Sequence, residues 1–231
     1  MGIPTVRACA LVAGLFAWSM AGCAGGASES VTAPRTIATT QPGSVAQQPA
    51  RAQSVDAAAL GATWRPGCPV PPIELRRITL SYFGFDGRSH RGELVVHRDA
   101  VNDVIAIFAE LYSVRFPIEK IRTVDNYPRA EDELSMQDNN TSAFNCRPLP
   151  SGAWSLHAYG RAVDINPLIN PYISASGDLQ PATARAYLDR ARTDQGMIRD
   201  GDVVVRTFAA HGWKWGGHWH DPVDYQHFER R

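Results

Sequence analysis

Ser155-Leu156-His157-Ala158-Tyr159-Gly160-Arg161-Ala162-Val163-Asp164 places an imidazole and a carboxylate on either side of a glycine turn. Asp224-Tyr225-Gln226-His227, near the C-terminus, adds a second imidazole and a second carboxylate. Catalytic zinc is usually held by three protein ligands from His and Asp or Glu, with the fourth position left to water. His157, Asp164 and His227 supply such a set. An anionic ligand lowers the charge of the site and so its power to acidify water, which calls for a separate base. Asp224, three residues before His227 on an approach read as irregular, is the candidate. Gly160 permits a tight turn between ligands. Ala162, Asp164 and Asn166 alternate with Val163 and Ile165 as in a short strand, with the apolar pair directed to the core.

The spacing Ser-x-His-x-x-Gly-x-Ala-x-Asp, followed by Trp-Gly-Gly and then Asp-x-x-His-Phe, resembles zinc peptidases of the D-alanyl-D-alanine carboxypeptidase and L-alanyl-D-glutamate endopeptidase family, the VanY-like peptidoglycan peptidases. The resemblance runs from about Cys68 to Phe228. It implies one Zn2+ held by His157, Asp164 and His227, with Asp224 as the base. It also implies an arginine contacting the substrate carbonyl or carboxylate, carried in the family by an Asp-Gly-Tyr-Arg or Ser-Gly-Tyr-Arg segment. Here the corresponding stretch is Asp125-Asn126-Tyr127-Pro128-Arg129, with the arginine displaced by one. Arg122, Arg129 and Arg147 therefore stand as candidates. Ser155 and Tyr159 are candidates for supporting the ligands or touching substrate.

The chain begins with a basic residue, Arg7, ahead of an apolar run from Ala8 to Met20, too short to span a membrane stably but suited to a signal-peptide core. Met20-Ala21-Gly22-Cys23 then looks like a bacterial lipoprotein cleavage box. Residues 1–22 read as a lipoprotein-type leader with Cys23 as the lipidated end; cleavage near Ala24 or Ala27, giving a secreted protein, is the alternative. Residues 23–66, rich in Ala, Ser, Thr, Gln, Pro and Gly, bury too little apolar surface to offset their ordering entropy, and read as a flexible tether. Residues 67–231 have the length of one catalytic domain.

Lys plus Arg equals Asp plus Glu, at 23 each, so no basic surplus suggests nucleic acid. With Cys9 lost in the leader and Cys23 lipidated, Cys68 and Cys146 remain, and in an oxidising compartment they should bond. The rival is Cys146 as nucleophile or zinc ligand, without any Cys-x-x-Cys spacing to accompany it.

Within the domain, alternation from Ile73 to His97 around Asp86-Gly87 predicts a hairpin. Val101, Val104, Ile105, Phe108, Leu111 and Tyr112 recur at helical spacing and are closed by Pro117. Ile118 to Val124 reads as a strand, and Asp125 to Pro150 as a long polar loop, functional or mobile. Pro181 to Arg190 and Asp202 to Ala210 have helical character, the second capped at Gly212. Trp213 and Trp215 read first as packing around the metal site, second as a platform for sugar or peptide. His218 and His220, at strand spacing, form a rival ligand pair, with His227 the better placed. His90, His97 and His211 read as solvent-facing.

The expectation is an α+β domain with a small antiparallel sheet presenting the site and helices packed behind it, the hedgehog and D-alanyl-D-alanine-peptidase type. Its substrate would be a peptidoglycan stem peptide cut beside a D-residue, as a D,D-carboxypeptidase or an L-alanyl-D-glutamate or other wall endopeptidase. The protein would be an exported monomer, membrane-bound through a lipid anchor only. The rivals from other classes are a zinc-containing wall-binding protein without turnover, and a structural envelope lipoprotein.

Overall fold

The computed structural model describes residues 48–149 and 151–231. The expected leader, Cys23 and most of the expected tether lie outside the described residues. In chain order the elements are β1 (Arg51–Ser54), α1 (Ala57–Leu60), β2 (Leu75–Phe83), β3 (Ser89–His97), α2 (Val101–Ser113), β4 (Lys120–Ile121), α3 (Asp132–Gln137) and β5 (Asn140–Thr141). They continue with β6 (Ala162–Asp164), β7 (Tyr172–Ile173), β8 (Leu179–Gln180), α4 (Val203–Ala210), β9 (Lys214–Trp215), β10 (Val223–Asp224) and β11 (His227–Glu229). This is an α+β architecture. Among the described residues no helix is long and apolar enough to cross a membrane.

The hairpin forms where alternation predicts it. β2 and β3 pair antiparallel from Leu75 opposite His97 to Phe83 opposite Ser89. At the turn, Gly84 N donates to Arg88 O at 2.8 Å and the Asp86 carboxylate accepts from Arg88 N at 3.0 Å. Ile78, Leu80, Tyr82, Leu94 and Val96 share one buried face. Against it α2 lays Val104, Ile107, Phe108, Leu111 and Tyr112, a stripe at helical spacing. Ile107 replaces Ile105 in the expected stripe, Ile105 being only half-buried at its margin. Burying each large apolar side chain contributes about 1.5–3 kcal/mol, so this layer is the main stabilising block. The opposite face of the hairpin, through Leu75 and Val95, packs a smaller cluster with Leu60, Val70 and Phe144.

β1 pairs antiparallel with β2, and Leu60 of α1 is fully buried. The folded domain therefore starts by Arg51, ahead of the expected boundary at 66, because these few apolar residues find partners on the hairpin. Cys68 and Cys146 are bonded, across a sequence separation of 78, and this pins the domain's entry to the segment before the motif.

The stretch from 125 to 150, expected to be an irregular loop, is largely built. It holds tight helical turns at Val124–Asn126 and Pro128–Ala130, then α3 and β5, which pairs parallel with β4. That pairing takes only Lys120–Ile121 of the strand expected over 118–124. Its polar composition misleads because Asn139, Asn140 and Asn145 are buried, their amide nitrogens donating to groups elsewhere in the fold. Asn139 donates to Glu119 at 2.7 Å and accepts from Leu168 N at 2.9 Å. Asn140 donates to Arg122 O and to the Ser135 hydroxyl, each at 3.0 Å. Of the stretch from Pro181 to Arg190, only Ala184–Leu188 is helical, as a tight turn.

β6, β11 and β9 form the antiparallel sheet on which the motif residues lie, in the order β6-β11-β9. Val163, Phe228 and Trp215 point into the core, where Phe228 stacks on Phe208 of α4 with ring centroids 4.0 Å apart. α4 and α2 pack behind, as expected, and Gly212 N closes α4 on Ala209 O at 2.9 Å. Alternation along β6 and β11 then sends Asp164, His227 and Glu229 to the other face.

Candidate metal centre

Each ligand candidate is placed by a different device. Ser155 caps the tight turn Leu156–Tyr159, its hydroxyl accepting from His157 N at 3.3 Å. Gly160 ends that turn in the left-handed region at φ 66°, and a Cβ there would stand 2.5 Å from His97 N, so only glycine fits. Asp164 sits on β6 directly opposite His227 on β11. Ser142 and Asp164 exchange backbone hydrogen bonds at 2.9 and 3.1 Å, which adds residue 142 to the sheet edge. Gly216 lets the tryptophan-glycine turn pass close by: a Cβ on it would lie 2.7 Å from Asp224 O and 3.3 Å from His227 Cβ.

The three side chains converge. His157 Nε2 lies 3.1 Å from His227 Nδ1 and 3.1 Å from Asp164 Oδ2, while His227 Nδ1 is 3.0 Å from Asp164 Oδ1. All three residues are buried, and this is the metal-ligand cluster found among the described residues. Four ligands around zinc at about 2.0–2.1 Å stand roughly 3.3 Å apart, so the spacing is close to that of a tetrahedral face.

The outer nitrogens decide which lone pairs face inward. His157 Nδ1 lies 2.5 Å from Ala143 O, an acceptor only, so it carries the proton and Nε2 is left as the donor atom. His227 Nε2 faces Glu229 Oε2 at 3.4 Å, leaving Nδ1 toward the cluster. Two imidazole lone pairs 3.1 Å apart repel unless a cation or a proton sits between them, so the donor set fits a divalent cation with nitrogen and oxygen ligands.

Charges follow the same geometry. Burial opposes ionisation of Asp164, yet the two imidazoles hold its carboxyl far below the usual carboxylate range. Burial likewise opposes an imidazolium at His227, but hydrogen bonds to Asp164 and Glu229 outweigh it and push the group up to about 10. A proton is thus what a cation would displace. Glu229 is held below its ordinary value by the hydrogen bond from His227, against its burial.

Asp224 lies beside this group without joining it. Its Oδ1 is buried and has no hydrogen-bond partner among the described residues. Burial pushes its carboxyl up to about 7; Asp164 adds to the rise, while His227, His157 and Arg147 oppose it. A carboxylate poised near neutrality, with a lone pair unspent, suits proton transfer. The approach to it is a short strand, β10, paired with β7 so that Asp224 stands opposite Tyr172.

The three arginines separate. Arg129 is 84% exposed and pairs with Glu131. Arg122 is exposed, and its charge bears on Tyr82, Tyr127 and Asp138. Arg147 bears on Asp224 and Tyr172 and is half-buried, with its Nε 2.7 Å from Asp132 Oδ2. Tyr159 packs on the smaller apolar cluster. Cys146 is engaged in the disulfide. His218 pairs with Asp200 at 2.7 Å and His220 is exposed, so neither enters the cluster. The histidines expected to face solvent have partners: His90 with Asp86, His211 with Glu110, and His97, only 12% exposed, with Asp99 and Glu74.

Sequence reading missed Ala143 O, Glu229, Tyr172 and Trp219, whose ring lies tilted 5.4 Å from that of His227. Only Glu229 had a readable signal, two positions after His227 in a strand.

A buried donor set with an unspent acid beside it is the arrangement metal-dependent hydrolases use. Residues 150–230 match a family model described as D-alanyl-D-alanine carboxypeptidase. That segment contains His157, Asp164, Asp224 and His227, and a peptidase is the class the match supports. No curated protein and no solved structure matches the chain.

Proposed function

We propose that this chain is an exported zinc peptidase that hydrolyses peptidoglycan stem peptides at a bond involving a D-residue, with D,D-carboxypeptidase activity slightly preferred over endopeptidase activity. The observation that carries the proposal is the meeting of His157 Nε2, Asp164 and His227 Nδ1 beside an unpartnered Asp224 oxygen. The lipoprotein-type leader and Cys23 would hold the enzyme at the membrane's outer face, within reach of the wall.

His157, Asp164 and His227 would hold the ion, which when bound supplies Lewis acidity toward the scissile carbonyl and an acidified water. Asp224 accepts a proton from the attacking water at its free oxygen and returns it to the leaving amine. Arg147, braced by Asp132, offers its charge to the substrate's carbonyl or terminal carboxylate. Trp219 and Tyr172 flank the reacting region and limit what fits there.

The test incubates the purified protein with muropeptides of defined sequence and identifies products by mass spectrometry. Loss of a terminal D-alanine marks a carboxypeptidase; an internal cut marks an endopeptidase. Asp224→Ala should keep its zinc and lose about 10²–10⁴-fold in rate. A wild type that holds zinc but cleaves nothing would leave a wall-binding protein and overturn the enzymatic reading.

A further inference from the structure

His227 sits between two carboxylates that compete for the same ring proton. Asp164 Oδ1 stands 3.0 Å from Nδ1, and Glu229 Oε2 stands 3.4 Å from Nε2. With the proton on Nδ1, His227 would donate to Asp164 and have no lone pair to offer the cluster. With it on Nε2, Nδ1 is free. Geometry alone gives the shorter contact to Asp164, so the productive arrangement needs an acceptor on the outer side. Glu229 is that acceptor: it is buried, it lies on the same face of β11 as His227, and its second oxygen is anchored by Arg231 Nε at 3.3 Å.

We infer that Glu229 is a positioning residue that keeps the ring proton of His227 on Nε2 and so presents Nδ1 to the cluster. The inference rests on reading the cluster as a cation site. The contrast with His157 is instructive, because there a neutral backbone carbonyl does the same service at Ala143. A carbonyl cannot be lost by substitution, whereas a carboxylate can, which makes the His227 side the one open to test.

The experiment uses the full chain and two readouts. Zn2+ affinity is measured by competition with a chromogenic chelator, and the His227 Nε2–H proton is followed by NMR with and without zinc. Glu229→Ala should weaken zinc binding about 10–100-fold and abolish the solvent-protected Nε2–H resonance. Glu229→Gln, which keeps an accepting oxygen without the charge, should retain the resonance and lose less than about tenfold in affinity; it also serves if the alanine variant fails to fold. The inference is overturned if the alanine variant keeps wild-type affinity or the protected proton. A wild type that takes up no zinc would instead sink the proposed function, with the resonance in the variants still deciding the positioning role.

Discussion

The hairpin with α2 and the asparagine-lined surroundings of β5 and β6 are both buried, but by different physics. In the first, Ile78, Leu94, Val104, Phe108 and Leu111 meet as apolar surfaces, an attraction without direction that tolerates exchange for shapes of similar volume. In the second, Asn139, Asn140, Asn166 and Asn170 are buried amides whose bonds fix backbone at stated atoms. Asn166 holds a left-handed φ of 47° while it donates to Pro117 O and Gly196 O and accepts from Glu119 N, two residues beyond Asp164. Directional bonds are what a ligand needs to be held in place. The apolar layer supplies stability, and the amide-lined segment supplies position.

Ways to break this division differ in size. Phe108→Ala opens a cavity in the apolar layer and should cost about 3–5 kcal/mol by denaturant unfolding, with zinc affinity of the still-folded protein unchanged. A loss of affinity equal to that in the amide variants would erase the distinction. Arg147→Ala, on the polar side, should lower kcat/KM about 10²–10³-fold with little change in stability, and Arg147→Lys should recover part of it. An unchanged rate would return the substrate-binding cation to Arg122 or Arg129. Asn166→Ala removes the side-chain partner of Glu119 N and Pro117 O, both part-buried, and should cost about 1–3 kcal/mol. Unlike Phe108→Ala, it should also weaken zinc binding, because β6 loses its anchor.

The smallest effect concerns Asp138, which accepts from Lys120 and the Tyr127 hydroxyl, each at 2.6 Å. Burial opposes its charge, but Lys120 and Tyr127 outweigh this and lower its pKa. A carboxyl depressed in the folded state adds stability above its unfolded value of about 4, and that contribution fades as pH falls through the folded value. The side chain is 40% exposed, so the amount should stay below about 1 kcal/mol. Stability of Asp138→Asn should trail wild type at pH 7 and match it near pH 2; a constant gap would show the charge is irrelevant.

Legibility in the sequence followed the same division. Alternation around Asp86-Gly87 and the Val104 to Leu111 spacing are local patterns, and both elements stand where those patterns put them. The candidate ligands were readable because their spacing is itself a motif, and the side chains of His157, Asp164 and His227 come together as a group that could hold a metal ion. The segment from 125 to 150 was misread since asparagine and serine signal solvent unless their partners are known, and those partners lie far off in sequence, as Glu119 and Leu168 do for Asn139. Tyr172 was invisible for a similar reason: its place opposite Asp224 depends on a pairing of two-residue strands. The burial of Leu60 was not legible because it stands among small alanines, and its partners Leu75, Val95 and Phe144 are distant in sequence.

The central claim is that three side chains distant in sequence hold one cation beside an acid that stays free. Elemental analysis of the purified full chain and of His227→Ala tests it most directly. The account predicts about one zinc per wild-type chain and close to none in the variant; wild-type protein without stoichiometric metal, or a variant that holds it equally well, would contradict it.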